Sequence, residues 1–162
     1  GTTWAPIGET PVVADSGDRF GINMISAVSA QGQMYFECFE ARMESQRFIG
    51  FLKNLRQSAG KPTLVIVDGG PYHKSKSVKE FLKGEGANLG IKVILLPPYS
   101  PELNPDEQVW NQAKRRIGKM SINTKKALGE VVERTLRAIQ NSVSLVQSFF
   151  RLPTTQYACA CV

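Results

Sequence analysis

The chain has 162 residues, 42% of them apolar and 21% charged, and carries a formal net charge of +6. That length suits one domain, expected here over residues 1–162, and the apolar share is globular rather than disordered. The longest apolar runs, 64–67 and 93–96, fall far short of the ~18–20 residues of a membrane span.

Two further features bear on compartment and partners. Three cysteines cannot all pair internally: Cys38 stands alone, and Cys159 and Cys161 form a C-x-C. A disulfide scaffold is disfavoured and a reducing compartment expected. Residues 1–9 hold neither a basic start nor an apolar stretch, so a cytoplasmic protein is expected. The charge is uneven. Residues 1–60 carry 5 basic and 6 acidic groups, whereas residues 61–162 carry 15 basic and 8 acidic. A one-sided basic excess attracts polyanions, nucleic acid foremost, although a soluble basic surface would look the same.

In chain order, residues 4–13 read as extended, with Pro6 and Pro11, and 14–19 as a turn. Strands are expected over 20–29 and 34–41, joined by a hairpin turn around Gly32. Phe48, Phe51, Leu52 and Leu55 form one apolar stripe, which predicts a helix over 44–58, closed by Gly60 and Pro62. The run T-L-V-I-V-D (63–68) predicts a strand buried on both faces. A short helix over 75–82, a glycine-rich loop over 84–90 and a second buried strand over 91–96 follow. Helices are expected over 104–117 and 124–141, the latter burying Leu128, Val131, Val132, Thr135, Leu136 and Ile139. Residues 142–151 extend it or form one more helix. The order β-β-α-β-α-β-α-α points to a mixed α/β sheet flanked by helices.

Asp68 closes a strand and meets Gly69-Gly70-Pro71. Ligand sites of open α/β sheets lie off the carboxyl ends of strands, but an Asp that merely starts a turn is also common. Glu107 follows the other strand. With Asn104 as N-cap and Pro105 at N1 it fits a capping box, and the same position can bring its carboxylate toward Asp68. Two converging carboxylates suit Mg²⁺, which takes one or two carboxylates plus phosphate oxygens. Asn111 and Lys114 share the Glu107 face of that helix, with Trp110, Ala113 and Ile117 opposite. Lys114, Arg115, Arg116 and Lys119 could hold phosphates or simply form a solvated face. His73, the sole histidine, cannot build a typical zinc site. It could orient water or a phosphate, or lie on a surface loop. Neither a P-loop nor a G-x-S-x-G elbow is present.

The strings T-L-V-I-V-D-G-G-P-Y-H-K-S (63–75) and L-L-P-P-Y-S-P-E-L-N-P-D-E-Q-V-W-N-Q-A-K-R-R (95–116), with W-A-P-I-G-E-T-P (4–11), closely resemble the DDE transposases of the mariner superfamily, in particular their bacterial insertion-sequence branch. The resemblance covers about residues 4–140. It implies a ribonuclease-H-like fold and three carboxylates holding two Mg²⁺ or Mn²⁺ ions. The implied activity is DNA cleavage at transposon ends and strand transfer to target DNA. By motif, Asp68 is the second acid and Glu107 the third, 39 positions later. Asp106 competes for the third role, but the family's acid follows N-P-x. DNA contacts are expected from Lys114, Arg115, Arg116, Lys119 and His73.

The chain departs from the family pattern in three respects. The first catalytic Asp belongs on a strand upstream of the W-A-P-I-G block. Asp15 and Asp18 sit in a turn and do not replace it. A helix-turn-helix region is not found, and Gly69 stands where relatives often have Asn. The stretch alone is therefore expected to be inactive and to lack the first, central strand of its sheet. The strands at 20–29 and 63–68 must then pair directly, gape, or borrow a strand from a second copy, giving a homodimer or strand-exchanged oligomer. The alternative is a non-catalytic DNA-binding or assembly remnant. A receiver-like protein fits the strand-end Asp but not the hairpin or the P-P-Y-S-P-E-L-N-P string. A bacterial, nucleoid-associated setting is expected.

Overall fold

The computed structural model describes residues 21–161, with side chains to residue 159. The extended and turn segments expected over 4–19, with Asp15 and Asp18, lie outside the described residues. A hairpin leads: β1 (Asn23–Val28) pairs antiparallel with β2 (Met34–Phe39), Asn23 opposite Phe39 and Val28 opposite Met34. Gly32 turns it at φ +89°, a backbone region that glycine enters without a Cβ clash. Helix α1 (Ser45–Ala59) follows and ends at Gly60 in the left-handed conformation, φ +67°. Strand β3 (Thr63–Val67) runs parallel to β4 (Ile91–Leu95), with Thr63 opposite Ile91. Between them lie a 3-10 turn (Pro71–Lys74), α2 (Lys76–Lys83) and α3 (Glu85–Asn88). A short helix thus occupies part of the stretch expected to be a glycine-rich loop. A 3-10 turn (Pro101–Leu103) leads to α4 (Glu107–Ile117), then α5 (Lys125–Gln140), α6 (Val143–Ser148) and a 3-10 segment (Gln156–Cys161).

The alternation of β1 and β2 explains how two cores form around one hairpin. Met24, Val28, Met34 and Phe36 face a core built with Val109, Ala113, Val132, Leu136, Ile139 and Val146 of α4, α5 and α6. Ile25 faces the other way, into a core of Phe48, Ile49, Leu52, Val65, Val78, Phe81 and Ile91. Tyr35 stacks on Phe51 of α1 with ring centroids 5.3 Å apart. The hairpin is therefore sandwiched between α1 and the C-terminal helices. Gln140 Nε2 donates to the Met34 carbonyl at 2.8 Å and ties α5 to β2.

Strands β3 and β4 differ from expectation. They are covered on one face only, by α1 and α2. Leu64 and Ile94, on the other face, are 40% and 50% exposed. Among the described residues the four strands form two separate pairs, β1-β2 and β3-β4. Between β1 and β3 the sheet gapes, leaving a cleft of about 780 Å³ lined by residues 24–28 on one side and 63–67 on the other. Each of these strands has a hydrogen-bonding edge without a strand partner among the described residues. This is the expected mixed α/β arrangement flanked by helices, and among the described residues no strand lies between β1 and β3. No helix among the described residues is long and apolar enough to cross a membrane.

Candidate active site

The cleft lining includes Asp68, His73, Asp106 and Glu107, which the sequence singled out, together with Tyr72. Asp68 directly follows β3. Its Oδ1 accepts from the Gly70 amide at 3.0 Å and from His73 Nδ1 at 2.9 Å, and the same Nδ1 lies 2.9 Å from the Asp68 carbonyl oxygen. With a carbonyl and a carboxylate both at Nδ1, that nitrogen carries the ring proton. A Cβ on Gly70 would stand 3.1 Å from Asp68 Oδ1 and 3.4 Å from His73 Nδ1, so the turn closes this tightly only without a side chain there.

His73 is 9% exposed. Its ring lies 4.4 Å from Phe48 and 4.2 Å from Tyr72, centroid to centroid. Burial lowers its pKa, opposed by its hydrogen bonds to Asp68 and by the Asp68 charge, so it is neutral near pH 7. Burial, and then the Asp68 charge, push the Tyr72 hydroxyl up. Asp68 is thus held from behind by a rigid aromatic wedge, while its carboxylate stays substantially exposed.

The segment leading into α4 differs from the capping box read from the sequence. Glu107 is the first residue of α4 rather than its third, and Asp106 occupies the cap position with helical φ and ψ. Asn104 Oδ1 accepts from the Asp106 amide at 3.1 Å, and the Glu107 amide donates to the Asn104 carbonyl at 3.1 Å. Asn104 closes a tight turn before the helix, and the Glu107 side chain is not engaged in a capping box. The turn that Asn104 closes explains the shift: it takes up residues 104–106, which the sequence reading assigned to the start of the helix.

Asp106 is the more informative acid of the pair. The Ser26 hydroxyl donates to its carboxylate, 2.8 Å from Oδ1 and 2.9 Å from Oδ2. Burial pushes its pKa up to about 6; the Ser26 bond lowers it, while the Glu107 and Asp68 charges add to the rise. Asp106 therefore senses both of the other carboxylates. Sequence reasoning weighed Asp106 only as a rival for the third acid and missed Ser26. The available signal was a serine on the same face of β1 as Met24 and Val28, where an apolar side chain belongs.

Lys114, Arg115, Arg116 and Lys119 are all exposed at and just beyond the end of α4. Among the described residues none of them makes an ion pair. Three lie in the last helical turn, where the helix dipole favours positive charge. Trp110 lines the cleft, and the buried residues of α4 are Val109 and Ala113 rather than the expected Trp110, Ala113 and Ile117 set.

Among the described residues, no three His, Cys, Asp or Glu side chains stand close enough together to hold a metal ion. Two carboxylates at one cleft mouth match the donor set of a water-rich Mg²⁺ or Mn²⁺ ion, but they make an incomplete set for two such ions.

A family model described as DDE superfamily endonuclease matches residues 1–129, a span that includes both Asp68 and Glu107. The crystal structure of the catalytic domain of Mos1 mariner transposase is similar at a TM-score of 0.55 and 12% identity, covering 86% of this chain and 79% of that one. The crystal structure of the Mos1 Strand Transfer Complex is similar at a TM-score of 0.58 and 16% identity, covering 99% of this chain and 49% of that one. At these identities the likeness is one of fold. The chain spans about half the length of the protein in the strand transfer complex. No curated protein matches it.

Proposed function

The chain belongs to the DDE superfamily of endonucleases, and we propose that it is the catalytic-domain part of a DNA transposase of the bacterial insertion-sequence type. Its reaction is metal-dependent cleavage at transposon ends followed by strand transfer. The observation that carries the reading is that Asp68 and Glu107 line one cleft and that both their charges act on Asp106, inside the span of the family match. Asp68 and Glu107 would hold Mg²⁺ or Mn²⁺. A divalent ion bound there supplies Lewis-acid polarisation of a phosphodiester oxygen. The chain's own residues do the rest. His73 orients Asp68, Ser26 and Asp106 tie the start of α4 to β1, and Lys114, Arg115, Arg116 and Lys119 hold DNA phosphates along the emerging helix. His73 contributes to DNA engagement from behind Asp68.

The first carboxylate is proposed to come from a strand seated between β1 and β3, supplied by a preceding segment or by a second copy in a homodimer or strand-exchanged oligomer. The open cleft supports this, because two facing strand edges without strand partners present the amides and carbonyls that an inserted strand would pair with. The 162-residue stretch is then a single catalytic domain that is inactive alone. A cytoplasmic, nucleoid-associated setting goes with this reading.

The experiment is strand cleavage of transposon-end DNA with Mg²⁺ or Mn²⁺, for this stretch and for one extended upstream. The stretch alone is expected to be silent and the extended protein to nick DNA. Asp68→Asn and Glu107→Gln are each expected to lower nicking at least a hundredfold. A second reading, a DNA-binding remnant without catalysis, draws on the exposed Lys114, Arg115, Arg116 and Lys119 at and beyond the end of α4. Under that reading the extended protein stays silent and binds DNA without any metal requirement.

A further inference from the structure

Beside Asp68 lies a cation that the sequence reading did not single out. Lys74 ends the 3-10 turn whose preceding residue, His73, is fixed to Asp68 by two contacts of 2.9 Å. The His73 amide donates to the Gly70 carbonyl at 3.1 Å, so residues 70–74 form one anchored turn. From that base the Lys74 side chain folds back over Gly69. Its Nζ lies 2.9 Å, and its Cε 3.4 Å, from the place a Cβ on Gly69 would occupy. The missing side chain at 69 is thus the space in which the ammonium sits.

The ammonium makes no ion pair or hydrogen bond among the described residues, although Asp68 is close by. Asp68 Oδ1 is already taken by His73 and the Gly70 amide. By contrast, Lys53 and Lys76 in the neighbouring helices are engaged by Glu85 and Glu80. Lys74 is exposed and stands outside the cleft lining, while Asp68 and His73 line it. A compact charge with three donors, carried on an anchored turn at the rim of a carboxylate site, suits a phosphate oxygen approaching from outside.

We propose that the Lys74 ammonium contacts a backbone phosphate of DNA held at the Asp68 end of the cleft, and that Gly69 leaves the room this requires. The inference rests on the DNA-processing reading above and adds a residue to it. Releasing one condensed counterion per neutralised phosphate gives each such contact a measurable signature, a change of about 0.9 in the slope of log K against log[salt].

The test is fluorescence anisotropy of a labelled duplex with the intact chain across a salt series, in EDTA so that metal plays no part. Lys74→Ala is expected to flatten the slope by about 0.9 and weaken low-salt binding several-fold, and Lys74→Arg to restore both. Lys79→Ala removes an equal charge one turn into α2 and is expected to change the slope by less than about a third as much. Lys74→Ala with the wild-type slope overturns the proposal, as does an equal loss in Lys79→Ala. A wild-type chain with no salt dependence fails the DNA reading itself, a distinct result. Lys74 is exposed, so far-ultraviolet circular dichroism is expected to match across the variants.

Discussion

Asp106 shows how a single carboxyl can cost stability at a site built for other purposes. Its ordinary pKa of 3.8 rises to about 6 in the folded chain. Between those values the folded state binds the proton more tightly than the unfolded chain does. Stability therefore falls as pH rises from about 4 to 6 and does not recover above that. At about 1.4 kcal/mol per pH unit, the loss at neutral pH is of order 2–3 kcal/mol. Asp106→Asn keeps an acceptor for the Ser26 hydroxyl and removes the charge. The variant is expected to be more stable than wild type by about 1–3 kcal/mol at pH 7.5, with the gain vanishing near pH 4. Urea midpoints at the two pH values check this; equal midpoints at pH 7.5 would mean that Asp106 is not desolvated. At this scale the sequence was informative about identity and poor about environment. Asp68 and Glu107 stood out by position. The burial of His73 against Phe48 and the Ser26 bond arise from contacts between segments that no local spacing encodes, and the folded-back Lys74 from a turn whose geometry the sequence did not reveal.

At the scale of elements, the reading from periodicity held where one stripe of side chains meets one core. Helix α1 and its Phe48, Phe51 and Leu52 stripe, and the buried Val132, Thr135, Leu136 and Ile139 of α5, follow directly from spacing. It failed at α4, where the Asn104 turn delays the helix to Glu107, and at β3 and β4. An apolar run was read as a strand covered on both faces, whereas Leu64 and Ile94 stand open on a pair that helices cover on one side only. The hairpin tip offers a sharp test of packing between elements. Gly32 has φ +89°, and a Cβ there would lie 2.5 Å from Val143 Cγ1 and 2.8 Å from the Val143 carbonyl oxygen. Gly32→Ala meets both a backbone penalty and the N-terminal turn of α6. It is expected to cost roughly 2–3 kcal/mol, measured by urea unfolding. A cost below about 0.5 kcal/mol would mean that the tip moves freely away from α6.

At the scale of the molecule, one hairpin joins two cores, and among the described residues the strands form two separate pairs with a cleft between β1 and β3. An opening between the two strand pairs was one of the outcomes expected from the family resemblance. Whether β1 would pair directly with β3 was not foreseeable. Pairing β1 directly to β3 would have closed the sheet but pulled the hairpin off α1, where Ile25 and Tyr35 pack. The gap keeps both cores intact and leaves the acids at its mouth. The central claim is that Asp68 and Glu107 act together on one divalent cation. Electron paramagnetic resonance titration of Mn²⁺ into the chain tests it most directly. The account predicts one bound Mn²⁺ whose affinity drops at least tenfold in both Asp68→Asn and Glu107→Gln. It is contradicted if the wild-type chain binds no Mn²⁺, or if either variant binds it as tightly as wild type.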